Sequence, residues 1–430
     1  MKFLSTRGRG TPAGLSAAIR DGIAADGGLF VPERIPALAW TDWPAAIALP
    51  GLAERVIAPF AEADPLSGSL AAICQDAFTF PAPLVPLRGA DGDASALELF
   101  HGPTCAFKDF GARFLAAALE RVRQPGAGRI TILVATSGDT GGAVAAAFHR
   151  RPWVDVVLLY PRGLVSQRQA HQLSCWGGNV RTFAVEGTFD DCQRMVKEAF
   201  KDPALSARHR LSSANSINAG RLLPQMVYYA AASLEIWHAR RRKASFIVPS
   251  GNLGNVTACV WARAAGLPIG DIVLATNANR TITEFLDSGV WRPRASVATL
   301  ASAMDVGDPS NMERLRALLG DELPRHLTAR LVTDDEIRRT IREDAATLSY
   351  VWDPHGATAA SVYRQLPRER RDEPWVLVAT AHPAKFNDIV EPLIGREVPV
   401  PGALARLLDL PRQEEVLPAS LDALRARLDR

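Results

Sequence analysis

"RITILVATSGDTGGAVAAAFHR", residues 129–150, is an apolar, β-branched run that stops at a cluster of Thr, Ser, Gly and Asp and resumes as an alanine-rich stretch. The short apolar run bounded by turn formers reads as a buried strand, and the longer alanine-rich one as a helix. The same alternation recurs along the chain: VDVVLLYP (154–161) then SQRQAHQLSCW (166–176), and VRTFAVEG (180–187) then DDCQRMVKEAF (190–200). It continues through SFIVPS (245–250) then NVTACVWARAAG (255–266), DIVLATNA (271–278) then TITEFLDSG (281–289), and a last strand in PWVLVATAHP (374–383). Strands that are apolar on both faces, with helices between them, predict an α/β fold of parallel sheets flanked by helices. Sheets of that kind bind ligands beyond the carboxyl ends of their strands.

Single hydrophobic cores stop growing at about 250 to 300 residues, so a chain of 430 implies more than one unit. Residues 1–90, rich in Pro and Gly but with recurring Leu, Ile, Phe and Trp, read as a small, mainly helical domain. Residues 91–397 carry the strand–helix alternation and read as a core of two α/β subdomains, the smaller at roughly 110–215; residues 398–430 pattern as a helical tail. With 49 basic and 46 acidic residues and 47% hydrophobic residues, the composition is that of a soluble protein, and neither nucleic acid nor membrane is expected as a partner. The one basic cluster, Arg240 to Lys243, closes a helical stretch, where cations complement the carbonyl end. Five scattered cysteines without a CxxC pair or zinc spacing fit reduced thiols, a cytoplasmic protein and no metal site.

Two of the strand ends carry glycine-rich turns. After ITILVA come Thr136-Ser137-Gly138-Asp139-Thr140-Gly141; after SFIVPS come Gly251-Asn252-Leu253-Gly254-Asn255, and each turn enters a helix. Backbone amides at a helix N-terminus suit a carboxylate or a phosphate. The second turn lacks the Gly-Lys-Ser/Thr of a nucleotide-phosphate loop and the GxGxxG spacing of a dinucleotide fingerprint. A third feature is FHGPTCAFKDFG (100–111), in which Lys108 stands among Ala, Phe and Gly. A lysine there either lays its stem on apolar surface and reaches water, with Asp109 beside it, or is buried and loses its proton to become a nucleophile. An amine nucleophile with two anion pockets suits pyridoxal 5'-phosphate, which needs a lysine, a phosphate cradle at 251–255 and a partner for its ring nitrogen. Thr380, at the end of the last core strand, offers a hydroxyl for that nitrogen or simply fills a strand end.

These segments, with STRG at 5–8, SANSINAGR at 213–221, DPHGATA at 353–359 and TAHPAKF at 380–386, resemble the threonine synthase family of the bacterial and fungal type, in family order and over nearly the whole chain. The resemblance implies a fold-type II pyridoxal-phosphate enzyme of the tryptophan synthase β group. It implies conversion of O-phospho-L-homoserine and water to L-threonine and phosphate, the last step of threonine biosynthesis, by a monomer or homodimer. By position it makes Lys108 the lysine that bonds to the cofactor aldehyde. Gly251, Asn252, Leu253, Gly254 and Asn255 become the cradle of its phosphate, and Thr380 the partner of its ring nitrogen. Ser137, Asp139 and Thr140 would receive the substrate carboxylate. Leu253 and Cys105 depart from the family pattern, where Phe and Leu are common. For the substrate phosphate, Arg7, Arg113, Arg162, Arg221 and Lys385 stand as undecided candidates. The alternatives are another lyase of the same group, such as a serine/threonine deaminase, or a silent cofactor-binding homologue.

Overall fold

The computed structural model describes residues 1–44, 46–124 and 126–429. Two sheets organise the chain. The larger has six strands in the order Thr328–Leu331, Ile269–Thr276, Ala244–Pro249, Trp375–Ala379, Ala94–Glu98, Leu84–Pro86; its pairings are parallel except for the last, antiparallel one at the edge. The smaller has five strands, all parallel, in the order Glu414–Pro418, Val180–Glu186, Val154–Pro161, Ile130–Ala135, Leu211–Ser212. Every residue of Ala244–Pro249 and of Trp375–Ala379 is buried. That explains why these strands read as unbroken apolar runs: helices cover both faces and leave none for water.

The prefix forms a two-stranded antiparallel ribbon, Phe3–Ser5 with Phe30–Pro32, and helices at Leu15–Asp21, Leu49–Ile57 and Leu70–Ala77. It shares a core with the helix Lys108–Val122 rather than enclosing one of its own. Phe78 and Phe80 pack on Phe110 with ring centroids 5.9 and 4.5 Å away. The tail is not purely helical. Glu414–Pro418 adds a strand to the edge of the five-stranded sheet, with Leu417 opposite Val185, before the helix Leu421–Leu428. Leu417 is the one buried residue of that strand, so the segment carries no alternation from which a strand could be read.

The sheet order brings the carboxyl ends of Ala244–Pro249 and Trp375–Ala379 side by side, which places residues 250–255 next to Thr380. The segment before Lys108 is stitched to the same place: Ala106 bridges Ala381, Phe107 N donates to Thr380 O at 2.8 Å, and His382 N donates to Cys105 O at 3.0 Å.

Candidate active site

Lys108 opens its helix two residues after that bridge, so the backbone pairing that holds Thr380 also aims the lysine. The turn leading to it needs Cys105 at φ 55°, a left-handed conformation costly for a residue with a Cβ. Asp109, adjacent in sequence, is not the partner of Lys108. Its carboxylate faces the preceding turn and accepts from Thr104 N at 2.9 Å and Thr104 Oγ1 at 2.7 Å. Lys108 Nζ stands 4.9 Å from the centroid of the Phe107 ring and makes no hydrogen bond to the described residues. Burial, with the nearby Arg221 charge, lowers its pKa to about 8 against an ordinary 10.5, while Asp139 pulls the other way. Lys108 is half-buried in the cleft wall, so of the two readings the structure favours an amine partly withdrawn from water.

The amine opens onto a cleft whose wall includes Lys108, Gly251 to Asn255, Thr380 and Asp139. Among the described residues, the backbone N–H groups of 251 to 255 donate to no protein acceptor, as expected at the N-terminus of the helix Gly254–Ala264. The loop is held from outside by side chains. Asn252 Nδ2 donates to Ser216 Oγ at 2.8 Å, Ser310 N donates to Asn252 Oδ1 at 2.6 Å, and Asn311 Nδ2 donates to the Asn252 carbonyl at 2.9 Å. Asn255 Oδ1 takes hydroxyl protons from Tyr228 and Tyr229 at 2.5 and 2.9 Å, and its buried Nδ2 has no partner among the described residues. Leu253 sits at φ 61° with its side chain buried. Unspent amides, a neighbouring amine of lowered pKa and the Thr380 hydroxyl in one cleft fit a phosphorylated aldehyde cofactor.

The SGDTG turn is organised by Thr136, whose Oγ1 accepts from Gly138 N at 3.0 Å and Gly141 N at 2.8 Å. Asp139 reaches the wall of the cleft; Ser137 and Thr140, both half-buried, stand outside the set of lining residues. Of the cations left undecided by sequence, Arg221 lines the cleft, buried, with one guanidinium nitrogen on Ala214 O. Lys385 lies behind Asp139. Arg7 pairs with Glu313, Arg162 with Glu186, and Arg113 donates to backbone carbonyls of Asp76 and Ala77, all away from the cleft.

Sequence reasoning missed several lining residues: Ser216, Gln225, Met304 and His355. Two of them, Ser216 and His355, lie in the segments SANSINAGR and DPHGATA, whose residue types by themselves carry no signal of a role. His355 is the second residue of the helix Pro354–Arg364, after the capping Asp353, whose Oδ2 stands 2.6 Å from His355 Nδ1. Ala303 N donates to His355 Nε2 at 3.0 Å, so Nδ1 carries the proton given to Asp353. Burial opposes a second proton, but Asp353, with Asp139 and Asp305, raises the imidazole pKa above its usual value.

Family sequence patterns match along the chain: "Pyridoxal-phosphate dependent enzyme" over residues 77–381, "Threonine synthase N terminus" over 2–78 and "Threonine synthase, C-terminal" over 356–427. The threonine synthase of Haemophilus influenzae is 42% identical over 416 residues, covering 96% of this chain and 96% of that protein. Among solved structures, threonine synthase from Escherichia coli superposes with a TM-score of 0.91 at 38% identity, covering 100% of this chain and 99% of that one. Pyridoxal-phosphate-bound threonine synthase from Brucella melitensis superposes with a TM-score of 0.89 at 34% identity, covering 100% of this chain and 98% of that one. Fold and cleft together define a fold-type II pyridoxal-phosphate enzyme. Within that class the chain belongs to the threonine synthase family, and the matched N- and C-terminal patterns leave no support for a deaminase reading. Among the described residues no helix is long and apolar enough to cross a membrane.

Proposed function

We propose that this enzyme converts O-phospho-L-homoserine and water to L-threonine and phosphate in the cleft around Lys108. The observation that carries the reading is the convergence on one cleft of an amine of lowered pKa, the free amides of 251 to 255 and Thr380, from segments far apart in the chain. Lys108 Nζ would bond to the cofactor aldehyde, Gly251, Asn252, Leu253, Gly254 and Asn255 would hold its phosphate, and the Thr380 hydroxyl would meet its ring nitrogen. Bound there, pyridoxal phosphate supplies an electron sink that makes protons on the substrate carbons acidic. The protein's share is to orient the substrate and move protons. With a pKa of about 8, Lys108 Nζ is matched to taking a proton from the substrate Cα and returning one near neutral pH. Arg221, the arginine on the cleft wall among the described residues, would meet the substrate phosphate, and the turn carrying Ser137, Asp139 and Thr140 would receive its carboxylate.

The test is phosphate release from O-phosphohomoserine with analysis of the product for threonine, alongside threonine as a substrate for deamination. Release of phosphate without threonine, or deamination alone, would overturn the reading. Ser137→Ala tests the carboxylate assignment. Loss of a hydrogen bond to a charged group costs about 1.5 to 3 kcal/mol, so kcat/KM should fall roughly ten- to hundredfold with the cofactor retained. An unchanged kcat/KM removes Ser137 from the site.

A further inference from the structure

Behind the cleft wall Asp139 forms a buried ion pair with Lys385, a lysine that the roles above leave without a task. Lys385 Nζ stands 2.7 Å from Asp139 Oδ1 and also donates to Thr104 O at 2.8 Å. Both side chains are nearly inaccessible, at 1% and 5% exposure. The pair joins three segments: the last core strand's extension, the SGDTG turn and the approach to Lys108. The joint is reinforced: Gln169 Nε2 donates to Asp139 Oδ1 at 3.0 Å, Gln172 Nε2 to Thr104 O at 3.1 Å, and Ser166 Oγ to the Lys385 carbonyl at 2.8 Å. Asp139 Oδ1 is thus fully occupied, whereas Oδ2 receives no hydrogen bond from the described residues and belongs to a residue on the cleft wall.

An isolated buried ion pair seldom stabilises a fold better than apolar residues of the same size, because desolvating two charges offsets their attraction. A pair kept at the edge of an active cleft invites a functional reason. We propose that Lys385 is a positioning residue for the reaction: it holds Asp139 ionised with Oδ1 saturated and Oδ2 presented to the cleft as an acceptor, and it keeps the Lys108 segment in register with the SGDTG turn. The proposal rests on the functional reading above, since it supposes that reactants occupy this cleft. It also resolves a difficulty in that reading. A bare carboxylate in the turn would repel the substrate carboxylate, but the Asp139–Lys385 pair is neutral as a whole and still offers one acceptor oxygen to a donor group of the bound reactants.

The charged and titratable groups around Asp139 are Lys385 and, when it takes a second proton, His355, which favour its ionised form, with Lys108 and Cys105 also within its field, and Asp109 beyond Thr104. Burial alone would raise the Asp139 pKa; Lys385 first, then His355 and the hydrogen bonds, bring it below the ordinary carboxylate value. Removing the Lys385 ammonium takes away the largest of these supports, so Asp139 should bind a proton at higher pH than before.

The experiment is a double-mutant cycle on the holoenzyme with Lys385→Met, Asp139→Asn and the pair, measuring kcat/KM for O-phosphohomoserine across pH and cofactor occupancy by absorbance. Lys385→Met should keep the cofactor, lower kcat/KM about ten- to hundredfold at neutral pH and acquire an acidic limb displaced upward from that of the parent. In the Asp139→Asn background, Lys385→Met should change kcat/KM by less than about threefold and show no such limb. A Lys385→Met enzyme with the parental pH profile, or independent losses that multiply in the double variant, would overturn the proposal. If Lys385→Met does not fold, the double variant, which buries no unpaired charge, must; failure of both assigns the pair to structure alone. Failure of the functional reading looks different: the parent enzyme itself then releases no phosphate.

Discussion

Gly251 and Met304 meet backbone to backbone: a Cβ added to Gly251 would stand 2.7 Å from Met304 Cα and 3.2 Å from the Ala303 carbonyl oxygen. At Gly254 the same addition meets Ser216 Cβ at 3.2 Å, tight by only a few tenths of an ångström, and Asn311 Nδ2 at 3.6 Å, an ordinary contact. The two glycines of one loop are therefore unequal. Gly251→Ala forces the 303–304 backbone and the loop apart, and overpacking of that kind typically costs about 1 to 3 kcal/mol. We expect Gly251→Ala to weaken cofactor binding at least tenfold and Gly254→Ala to stay within about threefold, measured by absorbance titration. Equal effects would mean that the amides, not the loop's support, dominate at both positions.

Lys108 predicts a pH dependence of the cofactor-free protein. Its folded pKa of about 8 lies below the ordinary 10.5 of the unfolded chain, so between those values the unfolded state binds more protons and stability rises with pH. The full penalty is present below about pH 8 and vanishes above 10.5. The apo form of Lys108→Met should therefore have the higher Tm at pH 7, with the difference shrinking as pH approaches 10. A constant difference would place the ammonium in water. In the holoenzyme, borohydride reduction and peptide mapping should put the pyridoxyl label on Lys108, with Lys385 unlabelled.

Leu253 sets strain against burial. Its left-handed backbone costs about 1 to 2 kcal/mol relative to glycine, while a buried leucine removed from a core costs about 2 to 5. Burial wins, and Leu253→Gly should destabilise the protein by about 1 to 3 kcal/mol in denaturant unfolding. A stabilised variant would show that the side chain packs less well than its burial indicates.

Thr380→Val keeps the shape of the strand end and removes the hydroxyl. If that hydroxyl meets the ring nitrogen, the cofactor stays bound, its absorbance band moves, and kcat falls about five- to tenfold with KM little changed, while Thr380→Ser restores both. An unmoved band in the valine variant would reduce Thr380 to filling space beside Phe107.

What the amino-acid order determined by itself was local. Runs such as ITILVA and SFIVPS announced strands buried on both faces because their apolar character is continuous, and glycine-rich turns at their ends announced amide-lined pockets. The lysine among aromatic and small residues at 107–111 stood out as a candidate, but the sequence left open whether its amine reaches water; burial beside the remote Arg221 decided that. The tertiary structure decided the rest. It chose Arg221 over Arg7, Arg113 and Arg162 as the cation at the cleft, turned Asp109 away from Lys108, tied Asp139 to Lys385 and left Ser137 and Thr140 off the cleft wall. It made a strand of Glu414–Pro418, whose burial pattern contains none. Periodicity records which face of an element is apolar. Which polar groups meet depends on how crossovers bring remote strand ends together, and neither charge nor hydroxyl leaves a periodic trace of its distant partner.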